Sequence, residues 1–492
     1  MSGPLSSGTF SSRTFSSGPL SRFGRRSRRT VALGLPLAVG ALLLASTPSE
    51  ATSTPAQITT SKTNGVNYLK SLQAADGSYV TPGGLSNEWA FSALAAAGTA
   101  AVDVTPGGDL TKNARTVYRN QLSAPSWPSA SPVATDYQRA ALNANAAGID
   151  PARVAVGRNL IADVVSYWQT ASPGSYGPPA NFNGTVFGLL ALGGARTQAG
   201  VQRVPQSLLN ASITVVRANE HNDGGWNFSQ AAGNPTQLAA ASDIDMTGAV
   251  IASLCVSGVA NTDAAVVAGK NFLKSKLVNA TGAFNAMFGA NTDSNGWAVS
   301  GLNACGFNAQ GSDFTTAAGK TPIDFLLANQ FNPGGGFKYQ PADTSPTAYS
   351  SIDALRAVGG AGFTAVPPTP VTVGAPKWVG TTTFTSGTAS KLALIVDTGA
   401  GALKVCSVTI TPTGTTSTLG AVLDAALASS TPGGCVTSRT PTSGTGTVTE
   451  VNGVTNASAN TWKVSIDGAA AATATRATVV NVGDTISLRY GS

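Results

Sequence analysis

Charged side chains, histidine and cysteine are all scarce in this 492-residue sequence. Asp, Glu, Lys and Arg together make up 11% of the residues, and the only histidine is His221. A single histidine argues against Ser-His-Asp or Cys-His catalysis, which needs an imidazole beside the nucleophile, and against a histidine-rich metal site. The four cysteines, Cys255, Cys305, Cys406 and Cys435, do not have the spacing of metal ligands.

Residues 1–51 contain six arginines and one acidic residue, Glu50, and they have the pattern of an export signal. The apolar run from Val31 to Ala45 is too short for a membrane span and has the length of a signal-peptide core. The segment SRRTVAL, residues 27–33, resembles a twin-arginine signal, with ordinary unfolded secretion as the alternative. Cleavage after Ala51 would leave residues 52–492 as a secreted bacterial protein.

The positive charge of the chain belongs mostly to this leader. The whole sequence has a net charge of +7. Without the six arginines and Glu50, 24 Lys and Arg remain against 22 Asp and Glu, a net charge of +2. Because no basic stripe remains, we expect no nucleic-acid partner. No second long apolar run follows, so we expect no transmembrane segment in the mature chain.

Six segments between residues 60 and 360 end alike, in an apolar run followed by glycine. The glycines are Gly98, Gly148, Gly193, Gly258, Gly306 and Gly359. Apolar residues recur seven and four positions before each glycine, which places them on one helical face, and the glycine itself suits a left-handed helix C-terminus. Each segment follows a glycine/aromatic turn, and amphipathic runs lie before these turns. The pattern predicts six helix pairs closed into an (α/α)6 toroid over residues 52–363, with an open solenoid as the alternative.

Three segments carry a resemblance to a known superfamily. They are YLKSLQAADGSY (residues 68–79), NEHNDGGWNF (residues 219–228) and LLANQFNPGGGFKY (residues 326–339). These look like the Q-x-x-x-G-x-[FW] repeats of the prenyltransferase and squalene-cyclase toroid superfamily. The resemblance implies the fold more than the function, because the same toroid serves carriers, complement-type proteins and transferases.

A Pro-rich linker, residues 364–376, separates the repeats from a region with the alternating pattern of strands. Residues 377–492 predict a small, mainly β (α+β) domain with one helix. The order of VNG (residues 451–453), a Trp-to-Gly run (residues 462–468) and GDTI (residues 483–486) is similar to the C-terminal β domain of the transcobalamin and intrinsic-factor family. That resemblance implies a corrinoid, such as cobalamin, held in the cleft between toroid and β domain.

The stretch SDIDMTG, residues 242–248, is the first candidate site. It resembles the Asp-rich acid motif of class II terpene cyclases, which implies that Asp245 donates a proton. Met246 replaces the third carboxylate of that motif, so pocket polarity is favoured over proton transfer. The alternative is a helix N-cap, since Asp245, Asp293 and Asp136 recur at the starts of predicted inner helices.

Polar and aromatic residues near the same helix starts complete the predicted ligand site. They are Asp136, Tyr137, Asn183, Asp243, Asp245, Asp293, Trp297 and Tyr349. Their alternative role is capping and core packing. We interpret His221 as a surface residue; the resemblance to cobalamin carriers implies metal ligation as its alternative.

The cysteines are expected to form two disulfides in an oxidising exterior. Cys255 and Cys305 fall at nearly the same level of adjacent inner helices, where a bridge would join repeats four and five. Cys406 and Cys435 would join parts of the β domain. Both roles are structural.

Together these features predict an exported, non-catalytic protein that holds a bulky ligand between toroid and β domain, with a corrinoid as the named candidate. The enzymatic alternative is a class II terpene-cyclase-like protein with Asp245 as its acid. A further alternative is a cell-surface interaction protein whose toroid binds a glycan or a protein partner.

Overall fold

The computed structural model describes residues 52–79, 88–178, 181–399, 403–429 and 434–492. The predicted export signal, residues 1–51, lies outside these ranges. Within them, no helix combines the length and the apolar character that crossing a bilayer requires.

The chain is mainly helical up to residue 358 and mainly β from residue 390 onwards. The α-helices are α1 (Pro55–Ser71), α2 (Trp89–Ala96), α3 (Ala114–Ser123), α4 (Ala134–Ala147), α5 (Leu160–Val165), α6 (Phe182–Gly193), α7 (Gln206–Ala218), α8 (Pro235–Leu238), α9 (Ile244–Val256), α10 (Ala264–Ser275), α11 (Thr292–Ala304), α12 (Pro322–Ala328), α13 (Ala348–Val358) and α14 (Leu419–Ala428). Short 3-10 helices at Ala101–Asp103, Pro106–Gly108, Leu110–Lys112 and Ser312–Phe314 lie in the connections.

Six of these helices form a closed inner ring. Helices α2, α4, α6, α9, α11 and α13 each pack against the next, and α13 packs against α2. Helices α1, α3, α5, α7, α10 and α12 pack on the ring, mostly against the inner helix that precedes each of them. The helical part of the chain is therefore toroid-like.

The core of the toroid contains the two apolar columns of the repeats. The column seven positions before the repeat glycines is Phe91, Ala141, Val186, Ile251, Val299 and Ile352, and the column four before is Leu94, Ala144, Leu189, Leu254, Leu302 and Leu355. All twelve side chains are buried, none more than 3% exposed. Burying each large aliphatic side chain contributes roughly 1.5–3 kcal/mol, so this face holds each inner helix in place.

Four of the six repeat glycines have the predicted left-handed conformation. They are Gly98, Gly148, Gly258 and Gly306, with φ between +73° and +93°. Gly193 and Gly359 also stand at helix C-termini, as the last residue of α6 and the C-cap of α13, but the predicted left-handed conformation is wrong for them. A Cβ on Gly193 would lie 2.3 Å from Ser257 Oγ, and one on Gly359 would lie 2.6 Å from the backbone carbon of Ala96. The close approach of a neighbouring segment, and not a left-handed backbone, requires glycine at these two positions.

Helices α9 and α11 approach each other closely. A Cβ on Gly301 would lie 2.3 Å from the carbonyl oxygen of Gly248, and one on Gly248 would lie 2.7 Å from that of Trp297. The disulfide between Cys255 and Cys305 joins the C-terminal ends of the same two helices. The bridge between repeats four and five is thus present, as its position in the repeats predicts.

The C-terminal region is built around a five-stranded sheet. The strands of the chain are β1 (Asn285–Ala286), β2 (Gly289–Ala290), β3 (Ser390–Asp397), β4 (Lys404–Ile410), β5 (Ser417–Thr418), β6 (Arg439–Thr440), β7 (Glu450–Val451), β8 (Val454–Thr455), β9 (Thr461–Ile466), β10 (Ala472–Thr473), β11 (Val479–Val480) and β12 (Thr485–Gly491). The large sheet has the order β10-β9-β12-β3-β4, with β12 parallel to β3 and the other pairs antiparallel. Helix α14 packs on β4, and a disulfide joins Cys406 to Cys435.

Strand β3 is shared between two hydrophobic cores. Ala393 and Ile395 belong to the core of the toroid, whereas Leu392, Leu394 and Val396 belong to the core of the C-terminal region. Successive side chains of a strand point to opposite faces, so one face of the sheet covers α5 and the other covers α14. The sheet is therefore the surface by which the C-terminal region packs on the toroid.

Ion pairs reinforce this contact. The Arg203 side chain has no exposed surface and contacts Asp150 at 2.6 Å and Asp467 at 2.9 Å. Arg153 contacts Asp467 at 2.8 Å and Asp484 at 3.0 Å. Two toroid arginines are thus held by two aspartates of the C-terminal region.

Candidate functional site

The centre of the toroid is filled by aromatic side chains. Trp89 on α2, Phe187 on α6 and Trp297 on α11 contact one another, with ring centroids 5.9–6.3 Å apart. These three helices are not neighbours in the ring, so their side chains meet because they point towards its axis. Phe363, which follows α13, packs against Trp89 at 6.1 Å and against Trp297 at 5.0 Å. We call these four residues the aromatic plug.

A buried guanidinium lies within the plug. The Arg356 side chain has no exposed surface, and its guanidinium carbon lies 4.5 Å from the ring centre of Phe363, 5.4 Å from that of Trp89 and 5.7 Å from that of Trp297. Its Nη2 donates to Asp353 Oδ1 at 2.6 Å. The plug is therefore stabilised by cation–π contacts and a buried ion pair, and side chains occupy the axis at this level.

Three aspartates lie close together beside the plug. Asp245 and Asp293 are the second residues of α9 and α11, and Asp353 lies in α13. The caps of α9 and α11 are Asp243 and Asn291, whose side chains accept the backbone N–H three residues later, both at 2.9 Å. The N-cap role considered for this stretch is therefore confirmed for Asp243. It is wrong for Asp245 and Asp293, because the residue two positions earlier takes it.

Burial raises the pKa of these carboxyl groups. The pKa of Asp245 rises to about 7, mainly through burial and then through the neighbouring Asp243 carboxylate. The pKa of Asp293 also rises to about 7, mainly through burial and then through Asp353. The Oδ1 atoms of Asp245 and Asp293 are buried and have no hydrogen-bond partner among the described residues. A carboxyl group with a pKa near 7 can donate or accept a proton at neutral pH, and such groups cluster at functional sites.

A cleft of about 560 Å³ opens beside Asp293. Its lining consists of Asp293 and Asp343, Tyr339 and Tyr349, and the hydroxyl residues Thr344, Ser345 and Thr347. Every one of these side chains carries an oxygen, and none carries a positive charge. The Tyr349 hydroxyl is buried without a hydrogen-bond partner among the described residues. We call this feature the rim cleft, because it lies at the N-terminal ends of α11 and α13.

The structure brings part of the predicted site together. Asp293 and Tyr349 line the rim cleft, Trp297 lies one turn below Asp293 in the plug, and Asp245 interacts with Asp293 electrostatically. Asn183 lies one turn before the plug residue Phe187, and its Oδ1 is likewise buried without a partner among the described residues. Asp243 caps α9.

Two of the predicted residues have contacts within repeat two. Asp136 pairs with Arg139 at 3.2 Å and accepts the Val133 backbone N–H at 3.0 Å, so it closes the first turn of α4. Tyr137 packs between Trp127 and Tyr167, with ring centroids 5.6 and 5.8 Å away. These contacts are those of capping and packing, the alternative that the sequence left open.

His221 is buried, only 3% exposed, and its interpretation as a surface residue is wrong. Its Nδ1 lies 2.8 Å from the carbonyl oxygen of Ala240, which fastens the turn before Trp226 to the segment before α9. Within the ranges that the structure describes, no group of three or more His, Cys, Asp or Glu residues is placed to hold a metal ion.

Three residues beside the site are not identified by the sequence analysis. Asp353 has a signal, since it lies one turn after Tyr349, as Trp297 lies one turn after Asp293. Asp343 lies in a loop without periodic pattern, where only the tertiary structure brings it to the cleft. Arg356 in turn has the sequence of an ordinary helix C-terminal arginine, which predicts solvent exposure, not burial.

The sequence matches no protein-family model, and none of the curated proteins matches it. Similar solved structures include the type II terpene cyclase MstE from Scytonema, which is 13% identical, covers 63% of this chain and 98% of that chain, and has a TM-score of 0.43. Haptocorrin in complex with Cbi is 12% identical, covers 88% of this chain and 97% of that chain, and has a TM-score of 0.33.

A third similar structure is Candida albicans protein geranylgeranyltransferase-I complexed with GGPP. It is 15% identical, covers 46% of this chain and 66% of that chain, and has a TM-score of 0.34. Toroid folds of the cyclase and prenyltransferase type and a haptocorrin thus occur among the similar structures. Likenesses this distant carry no information about activity, which has to come from the site itself.

Proposed function

We propose that this chain is an exported binding protein that holds a bulky ligand without transforming it. In this proposal residues 52–363 form an (α/α)6 toroid, residues 364–376 are the linker and residues 377–492 form the β domain. The closed ring of six inner helices supports the toroid, and the two disulfides suit an oxidising exterior.

The rim cleft is the observation that carries this proposal. It is open, preformed and lined with carboxyl, phenol and hydroxyl groups, which orient a ligand by hydrogen bonds. The aromatic plug closes the toroid beneath it. A ligand therefore binds at the end of the barrel and remains accessible to solvent, which suits reversible capture.

A corrinoid is the first ligand to test, and the resemblance to the transcobalamin family implies a site for it between toroid and β domain. The described contacts there are direct: Arg203 and Arg153 pair with Asp467 and Asp484. A corrinoid at that place would have to separate these ion pairs. The alternative place for it is the rim cleft.

Calorimetric titration of residues 52–492 with cobalamin and cobinamide tests both places. Tight one-to-one binding whose affinity Arg203→Ala alters and Asp293→Asn leaves unchanged would support the interdomain cleft. The reverse pattern would support the rim cleft. No heat with either compound would remove corrinoids from the proposal and leave the rim cleft to ligands of other chemistry.

A class II cyclase with Asp245 as its acid is the second candidate. The pKa of about 7 favours it, because a protonated carboxyl is what such a reaction needs. The plug speaks against it, since Trp89, Phe187, Trp297 and Phe363 occupy the axis where a polyene would fold. Conversion of a linear isoprenoid to a cyclic product, lost in Asp245→Asn, would establish this candidate.

A surface partner is the remaining candidate. Several large apolar side chains are exposed on the segments that precede the inner helices: Val133 (54%), Phe228 (51%), Met287 (81%) and Phe288 (72%). Exposed apolar groups of this size suit contact with another molecule. Loss of binding to the producing cell after Phe228→Ser and Phe288→Ser would support it.

A further inference from the structure

We propose that the rim cleft takes an amphipathic organic ammonium ion, with its cationic head among the carboxylates of the cleft and its apolar part against the tip of the β1–β2 hairpin. This inference rests on the proposed function, since it names the chemical class of the ligand at the same cleft. It stands on the lining of the cleft, the charges behind it and the exposed side chains next to it.

The charge around the cleft favours a cation. Asp293 and Asp343 lie in its wall, and Asp243, Asp245 and Asp353 lie behind it. Arg356 is the only cation paired with this group in the described contacts, and Asp353 takes its Nη2.

The lysine adjacent in sequence to the cleft residue Tyr339 has its contacts elsewhere. Lys338 precedes the cleft residue Tyr339, but its Nζ lies 5.6 Å from the ring centre of Phe331 and 3.5 Å from the carbonyl oxygen of Pro341. An anionic ligand would meet the carboxylates of Asp293 and Asp343 in the wall. A cation would relieve the repulsion among them, and this repulsion is strong because the groups are partly desolvated.

The buried acceptors point to a ligand and not merely to an acidic patch. Asp245 Oδ1 and Asp293 Oδ1 come from two helices, and each is fully buried without a partner among the described residues. The Tyr349 hydroxyl in the cleft wall is in the same condition. An ammonium group has only donors. Of these three residues Asp293 and Tyr349 line the cleft, where their oxygens can accept from it once they turn towards the ligand. The faces of Tyr339 and Tyr349 add cation–π attraction.

The hairpin supplies the apolar contact. Met287 and Phe288 at its tip are 81% and 72% exposed, which is unusual for side chains of this size. Gln340, next to the cleft residue Tyr339, donates through Nε2 to the Phe288 carbonyl oxygen at 3.1 Å. The tip is therefore fastened to the loop that lines the cleft. An apolar group attached to the ammonium would cover Met287 and Phe288.

Three matched probes test the charge: the phenethylammonium ion, 2-phenylethanol and 3-phenylpropanoate, each titrated calorimetrically into residues 52–492 at pH 8. We expect the ammonium to bind about tenfold more tightly than the alcohol, the effect of one partly desolvated ion pair, and the carboxylate not to bind. Equal affinity of the ammonium and the alcohol, or binding of the carboxylate, would overturn the inference.

Variants place the binding at the cleft. Asp293→Asn should weaken the ammonium about tenfold, and Phe288→Ser about two- to tenfold, the contribution of an aromatic contact. Asp313→Asn is the matched control, since Asp313 is an exposed carboxylate paired with Lys270 and Lys274 on the outside of the toroid. Circular dichroism confirms that each variant is folded. Unchanged affinity in Asp293→Asn would overturn the inference.

A parallel titration with an oligosaccharide distinguishes a wrong ligand class from a cleft that binds no ligand. Hydroxyl-rich walls also suit a polyol, so cellotetraose is titrated in parallel. If cellotetraose binds in a manner sensitive to Asp293→Asn and phenethylammonium does not, the ammonium class is overturned and the cleft remains a binding site. If neither probe binds, the inference is overturned at this cleft altogether.

Discussion

Asp245 and Asp293 are weak acids whose protonation state the fold controls. Both carboxyl groups have pKa values raised to about 7, above the value of 3.8 that each has when the chain is unfolded. Between these two pKa values the folded protein binds more protons than the unfolded chain. The free energy of unfolding therefore falls as the pH rises from about 4 to about 7 and levels off above that.

This pH dependence is the first prediction. One pKa unit corresponds to about 1.4 kcal/mol, so each carboxyl costs the fold on the order of 2–4 kcal/mol once it is ionised. Asp245→Asn and Asp293→Asn should each be more stable than the wild type at pH 8 and should flatten the decline. Urea unfolding at pH 5, 6, 7 and 8 measures this.

The control for the pH series is Asp313→Asn. Lys270 and Lys274 lower the pKa of Asp313, so its replacement should leave the decline between pH 5 and 8 as it is in the wild type. Asp484 contributes to the decline in every variant, because its pKa is raised to about 6, mainly by burial. A wild-type stability that rises between pH 5 and 8 would show that the aspartates near the plug are ionised at no cost.

The sequence identifies these acids but not their role. The repeats show that these aspartates stand near the starts of the inner helices. That position allows two roles, a helix cap or a part of a ligand pocket. Which of Asp243 and Asp245 caps α9 depends on a difference of two positions in where the helix starts. Helix ends are uncertain by that amount when they are read from sequence. The burial of Arg356 cannot be predicted from the sequence for another reason. The rings that cover its guanidinium come from three separate segments of the chain.

Among the elements, helices α9 and α11 depend most on the absence of side chains between them. Gly301 faces the Gly248 carbonyl oxygen, which cannot move without moving α9. Alanine at a helix position gains about 1 kcal/mol in helix propensity. Here that gain is outweighed, because a Cβ would lie 2.3 Å from this oxygen and would push the helices apart.

We predict that Gly301→Ala lowers the free energy of unfolding by about 1–3 kcal/mol, the usual cost of overpacking. Gly414→Ala is the matched control, since a Cβ there meets no atom within 4 Å and the variant should be close to the wild type. Thermal and urea unfolding of both variants test this. A Gly301→Ala protein as stable as the Gly414→Ala protein would mean that α9 and α11 separate freely.

Element order is predictable here because each element has its own period. The columns before the repeat glycines give the buried faces of the inner helices, and the alternating C-terminal runs give β3, β4, β9 and β12. Gly193 and Gly359 are the exceptions, because glycine is required there by a neighbouring segment of the same chain and not by a left-handed turn. Contacts between distant segments have no period, so the rim loop with Asp343 and the toroid face of β3 are not predictable in this way.

At the scale of the whole molecule, several connections hold the C-terminal region on the toroid, and three of them differ in kind. The first is the hydrophobic contact of Ile395 on β3 with the toroid core. The second is the ion-pair group around the buried Arg203. The third is Asp103, whose carboxylate accepts the backbone N–H groups of Val371 and Thr372 at 2.9 Å each and so fixes the linker. These connections favour one cooperative unit over two domains that move independently.

The last prediction tests this unity through Arg203. Arg203→Ala leaves Arg153 as the remaining cation that Asp150 and Asp467 share in the described contacts. Removing the fully buried member of such an ion-pair group costs up to about 3–5 kcal/mol. Arg217→Ala is the control, because Arg217 is 45% exposed in its pair with Asp263 and should cost at most about 1 kcal/mol. Hydrogen exchange of β3 and α11 peptides measures both regions at once.

In the wild type we expect β3 and α11 to share one opening free energy, since the strand belongs to both cores. In Arg203→Ala the β3 peptides should exchange faster than those of α11, because the C-terminal region loses its fastening before the ring opens. If β3 already exchanges faster than α11 in the wild type, and Arg203→Ala changes neither, the C-terminal region is a separate unit. An interdomain ligand site that opens readily would then become the stronger alternative to the rim cleft.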